Sequence, residues 1–324
     1  MKITVENMGQ DSNEIREKIL EQRKMLRELA MTKQLNFLIG SGASYPAIPL
    51  MSDIKEDDMK EKNRKLLEKI KDVSKSLICP NKNKEKNNSD VLNSYENFIL
   101  AVSDVLNNAN SRQTPREATL FTTNYDLFIE KALDSVLENT SLVFNDGARG
   151  YFNRYLDGSN YNKSVSYRGL NNNYIDELPS LSLIKPHGSV NWERADGDKI
   201  VIKNRVVGNP VVVPPTGYED EATFLNNHFH DMLRIFQLEL DKPQSVLFVV
   251  GFSFQDKHIG KMVKRALKNR ELVIVCFCFD ENEKINISKN LDVKSGNLKL
   301  ITPEELGEKN LTLDSLTNIL KGDN

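Results

Sequence analysis

Apolar residues fall along this chain in two recurring patterns. The first has helical spacing. Ile15, Ile19, Leu26 and Leu29 recur among charges, so residues 12–33 read as an amphipathic helix. Leu225, Phe229, Met232, Leu233, Phe236 and Leu240 form a cleaner stripe of the same period. Further helices are predicted over 59–77, 93–107, 127–137 and 256–268. The second pattern is a short continuous apolar run, seen at 36–39, 119–123, 181–184, 245–250 and 272–279. Strands buried on both faces of a parallel sheet look like this. Near the end, Thr302-Pro303-Glu304-Glu305 has the form of a capping box with proline at the first helical position. Strand and helix alternate, which predicts an α/β fold: a doubly wound, mostly parallel, Rossmann-like sheet with helical or irregular insertions.

Two stretches break the alternation. Residues 53–90 are crowded with Lys, Glu, Asp and Asn, and the tract 81–90 reads as a solvated loop. Residues 139–180 are rich in Asn, Gly, Tyr and Ser and read as an irregular insertion. The expected organisation is an N-terminal helical segment (1–34), a ligand-binding domain (35–280) with insertions at about 53–115 and 139–180, and a C-terminal helical segment (281–324). Solvated insertion and a role as lid or contact surface are both open for the two insertions.

Composition narrows the function classes. Of 324 residues 39% are hydrophobic, enough for a substantial core. Lys plus Arg number 44 and Asp plus Glu 46, so the chain lacks the basic excess of a nucleic-acid binder. Its three cysteines, Cys79, Cys276 and Cys278, include no C-x-x-C pair, which excludes a four-thiolate zinc site. Cys276 and Cys278 alternate within an apolar strand and are expected to fill core space. Met1–Asp11 has no apolar signal core, and no run approaches the ~20 apolar residues of a membrane span. The expectation is a soluble cytoplasmic protein.

The polar clusters fall at the predicted strand ends: Gly40–Ser44, Asn124–Asp126, His187–Ser189 and Gly251–Ser253. Doubly wound sheets bind ligands beyond the carboxyl ends of their strands, so these clusters should converge on one rim. Gly40-x-Gly42-x-Ser44 lets backbone approach a phosphate closely, or simply turns the chain. Tyr45 stands where the dinucleotide fingerprint has its third glycine. Asn124 and Asp126 suit a helix cap, and Asn124 also suits a water or a ribose hydroxyl, because its amide both donates and accepts. His187, between Pro186 and Gly188, suits a general base near neutral pH or a bond to a neighbouring carbonyl. His228 and His230, two apart on a helix, face different ways and make no metal pair. His258 reads as a surface or helix-start residue.

In this order the clusters resemble the sirtuin family, known for a G-x-G-x-S loop, a T-x-N-x-D motif, an H-G-S and a later G-x-S. The matching residues are Gly40-Ser41-Gly42-Ala43-Ser44, Thr122-Thr123-Asn124-Tyr125-Asp126, His187-Gly188-Ser189 and Gly251-Phe252-Ser253. Lys185–Ser189 and Val250–Asp256 are most similar to the bacterial sirtuin-like branch associated with antiphage defence. The resemblance implies NAD as substrate. Gly40, Gly42 and Ser44 would line its pyrophosphate, with Ser41 in the same loop. Asn124 would contact the nicotinamide ribose and position a water, and Asp126 would hold the carboxamide. His187 would serve as general base on the ribose hydroxyls, Gly251 and Ser253 would touch the adenosine half, and Asp280 would take the adenine ribose. The chain departs from deacylating sirtuins in three places. It lacks their zinc cysteines, carries Leu50-Met51 where they carry an Asp-Phe-Arg run, and has Thr123 where they have glutamine. The resemblance therefore implies an NAD glycohydrolase without zinc or other metal, acting as a defence effector, homo-oligomeric and associated with a HerA-like ATPase. The alternatives are a non-catalytic NAD- or ADP-ribose-binding regulatory subunit and, with less support, a protein deacylase.

Overall fold

The computed structural model describes residues 3–79, 86–108, 115–167, 177–214 and 227–322. The alternation of apolar runs and amphipathic helices produces a parallel sheet with helices on both faces. Its strands are β1 (Gln34–Ile39), β2 (Glu117–Thr122), β3 (Val143–Asn145), β6 (Ser180–Ile184), β9 (Ser245–Val250), β10 (Val273–Phe277) and β11 (Leu298–Ile301). They lie in the order β11-β10-β9-β1-β2-β6-β3, and every neighbouring pair is parallel. Phe37 sits opposite Leu120 on one side and Phe248 on the other. The chain leaves β1 toward β2 and later returns to β9 on β1's other side. The switch point, where a ligand crevice opens in such sheets, is therefore at the carboxyl ends of β1 and β9.

Side chains alternate between the two faces of each strand. Leu35, Phe37 and Ile39 join one core with Phe248 and Phe277. Helices α1 (Ile3–Thr32), α2 (Met59–Ile78), α3 (Lys86–Asn108) and α4 (Phe128–Leu137) cover it. Leu38, Phe121, Val249 and Cys276 join the other core, covered by α5 (Asn227–Asp241), α6 (Lys257–Ala266) and α7 (Glu281–Leu291). Cys276 and Cys278 are both fully buried there, as their alternation predicts. A small antiparallel sheet, β4 (Ala148–Arg149), β5 (Arg154–Leu156), β8 (Ile200–Ile202) and β7 (Trp192–Arg194) in spatial order, lends Trp192, Ile200 and Ile202 to this second core. The chain closes with α8 (Pro303–Leu306) and α9 (Leu313–Lys321). α8 carries the predicted box: Thr302 N–H donates to Glu305 across 2.8 Å.

The structure corrects three expectations. Residues 86–90 are not loop but the first turns of α3; residues 81–85 lie outside the described residues. The charged stretch after residue 53 is not simply a solvated insertion, because α2 buries Leu66, Ile70, Val73 and Leu77 and α3 buries Tyr95, Phe98 and Val102. Their apolar residues recur at helical spacing beneath the charge, and that spacing decides burial. The segment past residue 280 is not only helical, since β11 forms an edge of the main sheet. Leu225, the first residue of the predicted stripe, lies outside the described residues; Phe229, Met232, Phe236 and Leu240 are buried as expected. Among the described residues no helix is long and apolar enough to cross a membrane.

Candidate active site

The carboxyl ends of β1, β2, β6 and β9 deliver the four predicted clusters to one edge. Gly40 and Gly42 follow β1 and meet Gly251, which follows β9. Gly40 N–H donates to Val250 O across 2.9 Å, and Gly42 N–H donates to Gly251 O across 3.0 Å. A Cβ on Gly40 would lie 2.3 Å from Gly251 O. Gly251 itself has φ of +65°, and a Cβ there would lie 2.5 Å from Ala43 N. The glycines thus let two backbone turns touch at the switch point, the close approach only glycine allows. Ser41–Ser44 forms one short 3-10 turn. Ser41 is exposed, whereas Ser44 is only 1% exposed.

Ser44 faces inward and organises the site. Its hydroxyl donates to Asp126 Oδ2 across 3.0 Å. It accepts from Asn124 Nδ2 at 3.3 Å and lies 3.0 Å from the Tyr95 hydroxyl. One donated and two accepted bonds exhaust a hydroxyl, so Tyr95 is the donor in its bond to Ser44. Asn124 Nδ2 also donates to Gly40 O across 3.1 Å, and Thr122 Oγ1 ties β2 to β1 by donating to Ile39 O. Asn124 is therefore no helix cap. Asp126 does accept from Phe128 N–H, across 3.2 Å, at the start of α4. Burial pushes the Asp126 carboxyl up, against the pull of Lys185, the Phe128 N–H and Ser44. Burial, then the Asp126 charge, pushes the Tyr95 phenol well up.

Lys185 is 2% exposed at the end of β6. It donates to Asp126 O across 2.6 Å and to Glu130 Oε1 across 2.8 Å. Three residues on, the chain turns at Gly188, whose φ of +84° again requires glycine, and a Cβ there would lie 2.0 Å from Val211 O. Ser189 Oγ donates to Tyr125 O across 3.3 Å, locking this turn to the one after β2. His187 is 9% exposed, and its Nε2 lies 3.0 Å from Asp256 Oδ2. Asp256 also caps α6 through Oδ1, which accepts from His258 N–H and Ile259 N–H. Burial pushes the Asp256 carboxyl up, but the His187 hydrogen bond and charge, with the two amides, prevail and hold it below its usual range.

The structure therefore brings Gly40, Gly42, Ser44, Asn124, Asp126, His187 and Gly251 to one edge of the sheet. Ser253 follows Gly251 and is half-buried, its carbonyl accepting from Asn290. Asp280 stands after β10, one strand further out, and caps α7 by accepting from Glu283 N–H across 2.7 Å. His258 lies in the first turn of α6. Sequence reasoning missed three residues of the edge: Tyr95, Lys185 and Asp256. The Val91-Tyr95-Phe98-Val102 spacing on α3 would have placed Tyr95 inward. Asp256, just before a predicted helix, carried the signal of a cap, with nothing to join it to His187. Among the described residues no group of three or more His, Cys, Asp or Glu is placed to hold a metal ion.

Comparison with protein families gives a match to a SIR2-like domain over residues 118–294, which spans β2 through α7 and includes Asn124, His187 and Gly251. No curated protein matches the chain.

Proposed function

The chain belongs to the SIR2-like family, and from that premise we propose that it hydrolyses NAD to nicotinamide and ADP-ribose. SIR2-like domains generally act on NAD, and the doubly wound sheet offers its crevice where a dinucleotide is expected. The observation that carries the reading is the meeting of two devices at that crevice: the Ser44–Asn124–Asp126 network and the His187–Asp256 pair.

The chemistry asks little of the protein beyond placement. The bond between ribose C1′ and the nicotinamide nitrogen breaks, and its electron pair leaves with nicotinamide. The ribose acquires oxocarbenium character, water adds to C1′, and the water's proton is lost through the general base to solvent. Asn124, fixed by Gly40 O and Ser44, keeps its Oδ1 for a water or a ribose hydroxyl. His187 serves as the base, and Asp256 fixes its ring and balances its charge when it takes a proton. The turns at Gly40–Gly42 and Gly251, whose Gly40 and Gly42 amides bond each turn to the β9 end, would border the pyrophosphate, the Ser44 hydroxyl being engaged inward. On this reading the enzyme is a defence effector that depletes NAD and is held in check by self-assembly and by a HerA-like ATPase.

Nicotinamide release from NAD by the purified protein, with no acylated peptide present, tests the proposal. Turnover should vanish in His187→Ala and Asn124→Ala while both variants stay folded. NAD binding by calorimetry without turnover would instead favour the sensor reading, and turnover that requires an acetyl-peptide would favour the deacylase.

A further inference from the structure

The net charge of −2 conceals a concentration of cations on α6 and the turn that ends it. Between residues 257 and 270 stand Lys257, Lys261, Lys264, Arg265, Lys268 and Arg270, with no aspartate or glutamate among them. All six are exposed. At about 100° per residue, Lys257, Lys261 and Lys264 fall within a sector of about 60°. Ile259, Val263 and Ala266, on the opposite side of the helix, are buried in the second core. Lys268 follows in the next turn, where its N–H donates to Arg265 O across 3.1 Å. Two of the six cations have acidic neighbours: Lys264 lies 3.6 Å from Asp292, and Arg265 lies 3.3 Å from Asp241. Among the described residues Lys257, Lys261, Lys268 and Arg270 have no ion-pair partner.

The stability of the helix does not account for this stripe. Cations in a last turn suit the helix dipole, which covers Lys264 and Arg265. Lys257 and Lys261 stand in the first half, where the dipole disfavours them. Lys257 with Lys261, and Lys261 with Arg265, are like-charge pairs four residues apart, an arrangement that destabilises a helix. An external polyanion relieves both conflicts. Protein interfaces are depleted in lysine and enriched in aromatic residues, and residues 257–270 contain no Phe, Tyr or Trp. The same absence denies a single strand the platforms on which its bases stack. A helix lying on a membrane turns its apolar face to the lipid, whereas that of α6 is buried in the core. A duplex presents a dense row of phosphates, which lysine binds as a point charge.

We propose that this face of α6 docks the phosphate backbone of double-stranded DNA without reading its sequence. The helix starts at Asp256, whose Oδ1 caps it and whose Oδ2 faces His187. The duplex would therefore lie along the element that carries one half of that pair. The inference does not depend on NAD hydrolysis.

Fluorescence anisotropy of a labelled duplex DNA of mixed sequence, titrated with the full-length protein at low salt, tests this. The parent chain should bind, with log K falling against log salt at a slope of about −3 to −4 for four unpaired cations. Lys257→Gln/Lys261→Gln/Lys268→Gln should bind roughly tenfold or more weakly, with the slope reduced toward about −1. The three positions are exposed, so the variant should keep the parent's Tm. Lys60→Gln/Lys69→Gln/Lys75→Gln removes as many exposed lysines from α2, where acidic residues are interleaved, and should bind like the parent. Lys261→Glu alone should also weaken binding. Four results would overturn the inference: no binding of the duplex at low salt; unchanged affinity in the folded α6 variant; an equal loss in the α2 variant; or poly-L-glutamate or single-stranded DNA of matched charge binding as tightly as the duplex.

Discussion

Replacing Asp256 by Asn is the sharpest perturbation of the proposed chemistry. The amide keeps the shape of the carboxyl, and its oxygen can still accept from His258 N–H and Ile259 N–H, so the cap on α6 survives. It removes the negative charge 3.0 Å from His187 Nε2. Asp256 is only 9% exposed, so bulk water does little to replace that charge. The Coulombic contact of a buried carboxylate with a protonated base at this distance is worth on the order of 1.5–3 kcal/mol, and each ~1.4 kcal/mol is tenfold in rate. We expect kcat for nicotinamide release to fall roughly ten- to a hundredfold with KM little changed, because Asp256 acts on the base and not on bound NAD. Asp256→Ser, which keeps a capping oxygen but falls short of His187, should lose as much kcat, with Tm falling no further than in Asp256→Asn. A merely structural aspartate would lower Tm in step with activity. Unaltered kcat in a folded Asp256→Asn would refute the assignment. The same carboxyl has a stability consequence. Its folded-state value is depressed, so its contribution is present above the ordinary aspartate value and is lost as pH falls through the folded one. Acid unfolding of Asp256→Asn should lack that contribution.

Other outcomes follow from the same geometry. Gly251→Ala puts a Cβ 2.5 Å from Ala43 N at a φ of +65°, and urea unfolding should show a loss of about 1–3 kcal/mol or more. Ser44→Ala leaves Tyr95, Asn124 and Asp126 each short of one partner and should cost about 1–3 kcal/mol by the same measurement, with activity falling too. Lys185→Met strands the buried Glu130 carboxylate and the Asp126 carbonyl and should cost about 3–5 kcal/mol; adding Glu130→Leu should recover part of it.

The sheet was readable because its strands are buried on both faces and so write themselves as unbroken apolar runs. The rim was readable because the chain must turn at each strand end with Gly, Asn or His. The helical character of 86–90 was not, because Lys and Asn dominate it and only the later stripe of Val91, Tyr95 and Phe98 fixes it to the core. The small sheet was not either, since two- and three-residue strands carry too few positions to show a period. The glycines carry a packing role that the sequence left open beside phosphate binding. Loop glycines suggest room for a phosphate, yet Gly40 and Gly251 are first of all needed by each other. The His187–Asp256 pair joins residues from different loops, and no local pattern encodes such a contact.

The central strand, β1, finds its partners far along the chain. Lys33 and Gln244, which bond beside the β1–β9 pairing, are 211 residues apart. Synthesis at ~5–20 residues per second puts on the order of ten seconds or more between their emergence. Asp256 appears later still. A nascent chain can therefore hold the β1–β2 half of the crevice, with Asn124 already against Gly40, while His187 still lacks its partner. If the chain hydrolyses NAD as proposed, the order of strands acts as a timer: the His187–Asp256 contact cannot close until residue 256 has left the ribosome.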